Sequence, residues 1–209
     1  MKGIFLGTFN PPHIGHVSIC SEVLNKSKNT LFPIDSIDVI PAYQNPNKNI
    51  DTTSSFEFRC QLCKNIFQGL KNVVINPLEG VIKPKYTWSL FNTLKTMGYY
   101  NDFVWIITTE TFFELIQGKW FASTDLINTN KFIIVNANHS TIDNEDIKFY
   151  LNNGKYSSSW KDRMVFITLN NKINISSTII RDKLANNEIV YPYVFNVNEK
   201  LLCEFYRRE

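Results

Sequence analysis

The 209 residues carry 22 Lys and Arg against 19 Asp and Glu, a formal charge of +3, with 44% apolar and 14% aromatic side chains. That apolar share suffices for a full core and excludes a disordered chain. Basic and acidic residues are interleaved, which excludes the basic stripe of a nucleic-acid binder and suits small anionic ligands.

The first apolar run, residues 3–7, breaks at Asn10-Pro11-Pro12-His13, too early for a secretory core, and no run nears the roughly 18 residues of a membrane helix. The expectation is a soluble, cytoplasmic chain forming one domain over 1–209. Further runs bounded by turn residues predict strands over 37–41, 73–77, 103–107, 131–136 and 164–169. Phe103-Val104-Trp105-Ile106-Ile107 is apolar without a gap, as a strand covered on both faces requires. Helical spacing predicts helices over 14–24, 55–68, 88–97 and 124–128. Residues 138–162 read as a polar loop around a short helix at 144–151, with His139 on the surface. From Ser176 onward two helices flank Val190-Tyr191-Pro192-Tyr193, a C-terminal helical part over about 176–209. Strands alternating with helices imply an α/β chain with a parallel sheet wrapped by helices.

Cys60-Gln61-Leu62-Cys63 is a C-x-x-C, but Cys20 and Cys203 stand far from it in sequence. On the helix over 55–68, positions 60 and 63 share one face. The reading is therefore reduced core thiols and no zinc site.

The turn after the first strand is Gly7-Thr8-Phe9-Asn10-Pro11-Pro12-His13-Ile14-Gly15-His16. Ligands of an open parallel sheet bind beyond the carboxyl ends of its strands, so chemistry is expected here. Gly7 and Thr8 can bring backbone N–H groups to phosphate oxygens, and the helix start adds partial positive charge. His13 and His16, three apart on one helical face, can donate to the same oxygens. Near the other end stands Ile175-Ser176-Ser177-Thr178-Ile179-Ile180-Arg181. Ser176 or Ser177 fits a helix N-cap. As an anion site the same helix start offers hydroxyls, N–H groups and Arg181 one turn on.

A strand-turn-helix with G-T-F-x-P-x-H-x-G-H, paired with a distal I-S-S-T-x-x-R, resembles the H-x-G-H nucleotidylyltransferase superfamily. Within it the chain is similar to the nicotinate and nicotinamide mononucleotide adenylyltransferases, nearly end to end. Pro41-Ala42-Tyr43-Gln44-Asn45-Pro46-Asn47-Lys48 resembles the family's basic loop after the second strand. Arg59 matches the arginine opening the next helix. Tyr86-Thr87 matches a segment bordering the pyridine ring, and Trp120 a tryptophan lining that pocket. Thr108-Thr109-Glu110 stands where the family has G-x-D, Lys85 where it has Ser, and Ser123 where it has a second tryptophan.

The resemblance implies a Rossmann-like fold and AMP transfer from ATP to a pyridine mononucleotide, with pyrophosphate released and no covalent intermediate. ATP is expected on Gly7, Thr8, Phe9, His13, Gly15, His16, Lys48, Ser176, Ser177, Thr178 and Arg181, and the mononucleotide on Asn10, Tyr86, Thr87, Thr109, Glu110 and Trp120. His16, His13 and Arg181 carry catalysis in this reading, and Mg²⁺ travels with the triphosphate, since no carboxylate cage stands out. Two rivals remain at this stage. One is another adenylyl- or cytidylyltransferase of the superfamily, such as phosphopantetheine adenylyltransferase. The other is a non-catalytic nucleotide sensor.

Overall fold

The computed structural model describes residues 1–44, 55–96, 98, 102–137, 142–154, 156, 158–171, 173–197 and 199–206. Lys48 and His139 lie outside the described residues. All six expected strands form: β1 (Lys2–Gly7), β2 (Ser36–Pro41), β3 (Val73–Ile75), β4 (Phe103–Thr108), β5 (Phe132–Asn136) and β6 (Met164–Thr168). They make one sheet in the order β3-β2-β1-β4-β5-β6, every pair parallel. This is the Rossmann-like order, and it reverses between β1 and β4, the point at whose carboxyl ends sheets of this kind bind their ligands.

Side chains alternate across each strand, so neighbours serve opposite layers. Phe5, Val39, Val104, Ile106, Val135 and Ile167 face a core shared with Ile19 and Val23, Leu62 and Ile66, Ile180 and Leu184, and Leu202. Ile4, Ile40, Trp105, Ile134 and Met164 face the other core, with Leu90, Phe91, Phe112, Leu126 and Ile147. Burial on both faces is why these strands read as unbroken apolar runs.

The helices are α1 (Ile14–Lys26), α2 (Phe56–Ile66), α3 (Leu78–Ile82), α4 (Thr87–Thr96), α5 (Thr109–Ile116), α6 (Ser123–Thr129), α7 (Asn144–Asn153), α8 (Ser177–Ala185) and α9 (Glu199–Tyr206). Two are absent from the sequence reading. α3 has five residues. Half of α5 is Thr and Phe, weak helix formers, and it holds its shape because Phe112, Leu115 and Ile116 are buried at helical spacing. Cys60 and Cys63 lie on the buried face of α2, as expected, and burial pushes both thiols up. No helix among the described residues is long and apolar enough to cross a membrane.

Candidate active site

The turn after β1 is shaped by one ring. Phe9 has a backbone φ of 49°, in the left-handed region that side chains other than Gly rarely adopt. That twist sends its ring into the core, 2% exposed, edge-on to Phe5, His16 and Phe67. Gly7 follows from it, because a Cβ there would lie 3.0 Å from the Phe9 ring. Any contact of Phe9 with a nucleotide is therefore through its backbone.

His13 does not share a helical face with His16: it is the N-cap of α1, in extended conformation. Its Nδ1 accepts the Gly15 N–H at 3.2 Å, while the Nδ1 of His16 accepts the His13 N–H at 3.1 Å. This reciprocal capping box brings the two rings to 3.8 Å between centroids. With Nδ1 an acceptor in both, each neutral imidazole carries its proton on Nε2, so each presents an N–H donor. The glycine of H-x-G-H is a steric requirement, since a Cβ on Gly15 would lie 2.9 Å from the His13 ring.

Capping has a second consequence. The Ile14 N–H bonds to the Tyr193 carbonyl at 2.8 Å, Gly15 bonds to His13 Nδ1, and the N–H groups of His16 and Val17 both reach the His13 carbonyl. All four first-turn N–H groups of α1 thus have acceptors within the protein, so this helix start offers its partial positive charge and not open N–H groups.

At α8, Ser176 is the N-cap and accepts the Ile179 N–H at 3.2 Å. The N–H groups of Ser177 and Thr178, at the first two helical positions, have no carbonyl partner within the helix. The Ser177 hydroxyl donates to the Pro11 carbonyl at 2.9 Å, so its one O–H proton is committed to the first motif. Arg181 donates through Nη1 to the Asn10 carbonyl at 2.7 Å and through Nη2 to Thr178 Oγ1 at 3.1 Å. The two sequence motifs are therefore joined directly.

The remaining expected residues divide. Asn10 is buried, with Oδ1 accepting from the Tyr206 hydroxyl. Tyr86 lies at the start of α4, its ring stacked on Phe121 at 4.8 Å with Lys85 Nζ 5.3 Å from the ring centre. Thr87 opens α4, and half-buried Trp120 adjoins Phe121 and packs against the second core. Glu110 is half-buried in the first turn of α5, which follows β4, the strand paired with β1. Thr109 is fully buried, and its hydroxyl has no hydrogen-bond partner among the described residues. Its side chain does not reach the surface.

The family model described as cytidylyltransferase-like matches residues 4–183. A protein of Fusobacterium nucleatum named "Probable nicotinate-nucleotide adenylyltransferase" is 32% identical over 208 residues, 97% of each chain. The chain belongs to the nicotinate-nucleotide adenylyltransferase family. Two solved structures of the Plasmodium falciparum nicotinic acid mononucleotide adenylyltransferase share the fold at 19% identity. The one complexed with NaAD has a TM-score of 0.73 and the one complexed with APC 0.70, each covering 98% of this chain and 96% of that chain.

In this member of the adenylyltransferase family, residues outside the motifs also shape the site. Arg59, 3% exposed, donates to the Thr8 carbonyl at 2.6 Å and to the Tyr43 carbonyl at 3.2 Å. Glu79 of α3 accepts the Tyr43 N–H at 2.7 Å. Burial pushes the Glu79 carboxyl up to about 7, with the Tyr43 N–H and the Arg59 charge pulling the other way. Tyr43 is thus held at its N–H by Glu79 and at its carbonyl by Arg59, both buried ionisable groups. Glu79, Phe121 and Tyr206 escape the sequence reading because each acts through tertiary contact. Pro77-Leu78-Glu79-Gly80 looks like a solvated turn.

Proposed function

We propose that the chain transfers AMP from ATP to a pyridine mononucleotide, nicotinate mononucleotide in preference to nicotinamide mononucleotide. The products are pyrophosphate and the dinucleotide of NAD biosynthesis, and residues 1–209 act as one nucleotidylyltransferase domain. The observation that carries this reading is the junction of the phosphate motifs: Ser177 and Arg181 bond to the carbonyls of Pro11 and Asn10 across 166 and 171 residues. The start of α8 therefore meets the loop that leads into both imidazoles. The names of the full-length relatives, and the NaAD and APC bound by the Plasmodium enzyme, support the same substrates.

In this mechanism a phosphate oxygen of the mononucleotide attacks the α-phosphorus of ATP in line. The bond from that phosphorus to the bridging oxygen breaks, and pyrophosphate departs with the electron pair. His16 donates from Nε2 to the α-phosphate as charge builds, and His13 supports the phosphates beside it. Arg181 neutralises the departing phosphates, aimed by Asn10 and Thr178. Ser177 and Thr178 donate backbone N–H groups from the positive end of α8, and the Thr178 O–H is a further donor. Lys48 adds charge from its loop. Magnesium enters with ATP as part of the substrate; among the described residues no group of three His, Cys, Asp or Glu is placed to hold an ion. Tyr86, Thr87, Glu110 and Trp120 take the mononucleotide.

The test supplies ATP and magnesium with nicotinate mononucleotide, nicotinamide mononucleotide or phosphopantetheine and measures pyrophosphate and product. A dinucleotide from a pyridine mononucleotide is expected. Turnover with phosphopantetheine alone overturns the reading in favour of its nearest enzymatic rival, and ATP binding without any turnover favours a sensor.

A further inference from the structure

The C-terminal segment grips the first loop at more points than its phosphate motif supplies. Beyond Ser177 and Arg181, the Tyr193 carbonyl takes the Ile14 N–H, and from α9 the Tyr206 hydroxyl donates to Asn10 Oδ1 at 2.6 Å. Both partners of this last bond are buried, and 196 residues separate them. Asn10 is therefore held by its carbonyl from α8 and by its side chain from α9. On the other side of Phe9, Arg59 holds the Thr8 carbonyl. The residue with the twisted backbone is braced at both neighbours.

The seating of α9 does not need the Tyr206 hydroxyl. Leu202 is fully buried in the first core, and Phe205 stacks on Phe58 of α2 at 3.8 Å with planes 16° apart. A phenylalanine at 206 would keep the ring in that core. What the hydroxyl adds is one directional bond, aimed at the residue whose carbonyl holds Arg181.

We propose that Tyr206 is a positioning residue of the active site: its hydroxyl fixes Asn10, and Asn10 fixes the aim of Arg181 at the triphosphate. The last helix thereby becomes part of the nucleotide site without touching the reacting atoms. The chemistry rests on the adenylyl-transfer reading, but the positioning can be measured by ATP binding alone.

The experiment compares the whole chain with Tyr206→Phe, Asn10→Ala and the double variant. ATP affinity is measured by calorimetry in magnesium buffer and turnover with nicotinate mononucleotide, with folding followed by thermal melts. For Tyr206→Phe the expected result is ATP binding and kcat/KM for ATP weaker by about 3- to 10-fold, the range for one directed hydrogen bond. The double variant is no worse than Asn10→Ala. Wild-type ATP affinity and turnover in Tyr206→Phe would overturn the proposal, as would losses that multiply in the double variant. A wild-type chain that forms no dinucleotide refutes the adenylyl-transfer reading, and calorimetry still judges Tyr206.

Discussion

At the scale of single residues, the H-x-G-H motif is a device for setting protons. Each Nδ1 accepts a backbone N–H in the capping box, so each Nε2 is the donor, and Gly15 leaves the space that lets the His13 ring lie over the helix start. Replacing His16 by Ala removes one preorganised donor to the transition state and is expected to lower kcat by about 10²–10³. In the proposed mechanism Arg181 binds charge that the triphosphate carries throughout, so Arg181→Ala is expected mainly to raise the KM for ATP. Steady-state kinetics on both variants tests the division. A His16→Ala protein with wild-type kcat would place the chemistry elsewhere.

At the scale of elements, α2 and α3 meet through Arg59, Tyr43 and Glu79. The Glu79 carboxyl has a folded pKa of about 7 against an ordinary value of 4.5, raised chiefly by burial. A raised carboxyl binds more protons in the folded state than in the unfolded one between those values. Its contribution to stability is therefore full below about pH 4.5 and is lost as pH rises through 7. Glu79→Gln keeps an oxygen for the Tyr43 N–H and cannot titrate. Thermal melts from pH 4.5 to 8 are expected to show the wild type losing stability across that window relative to Glu79→Gln. Parallel profiles would remove Glu79 as the cause.

At the scale of the whole molecule, the sheet places the β1 turn beside the start of α5 at the point where strand order reverses. The residues proposed for the pyridine end form a separate cluster, with Tyr86 stacked on Phe121 next to Trp120 and Lys85 over the Tyr86 ring. If backbone N–H groups near Thr87 and Trp120 meet the pyridine substituent, a carboxylate accepts from both, whereas a carboxamide turns its NH₂ toward one of them. A mismatch of roughly 1–3 kcal/mol follows, and the Lys85 charge adds to it. The acid is expected to exceed the amide by about 10- to 100-fold in kcat/KM. Assays with both mononucleotides decide this. An equal or higher value for the amide would refute the preference and leave adenylyl transfer standing.

The sequence alone determined the six strands, the parallel sheet and the two motifs, because each rests on local order: doubly buried strands are unbroken apolar runs, and the start of α8 is marked by its serine cap. The family followed from the same local signals. Tertiary structure alone decided how the motifs are used. The donors of α1 are spent on His13 and Tyr193, the Ser177 hydroxyl is spent on Pro11, and Thr109 is sealed in the core, none of which spacing along a chain can express. Glu79 and Tyr206 were illegible for the same reason: each is an ordinary helix residue until folding brings it against a backbone N–H or side-chain oxygen tens to nearly two hundred positions away. Hydrogen bonds between distant residues are set by the close approach of elements in space, and it is those bonds that turn two short motifs into one site.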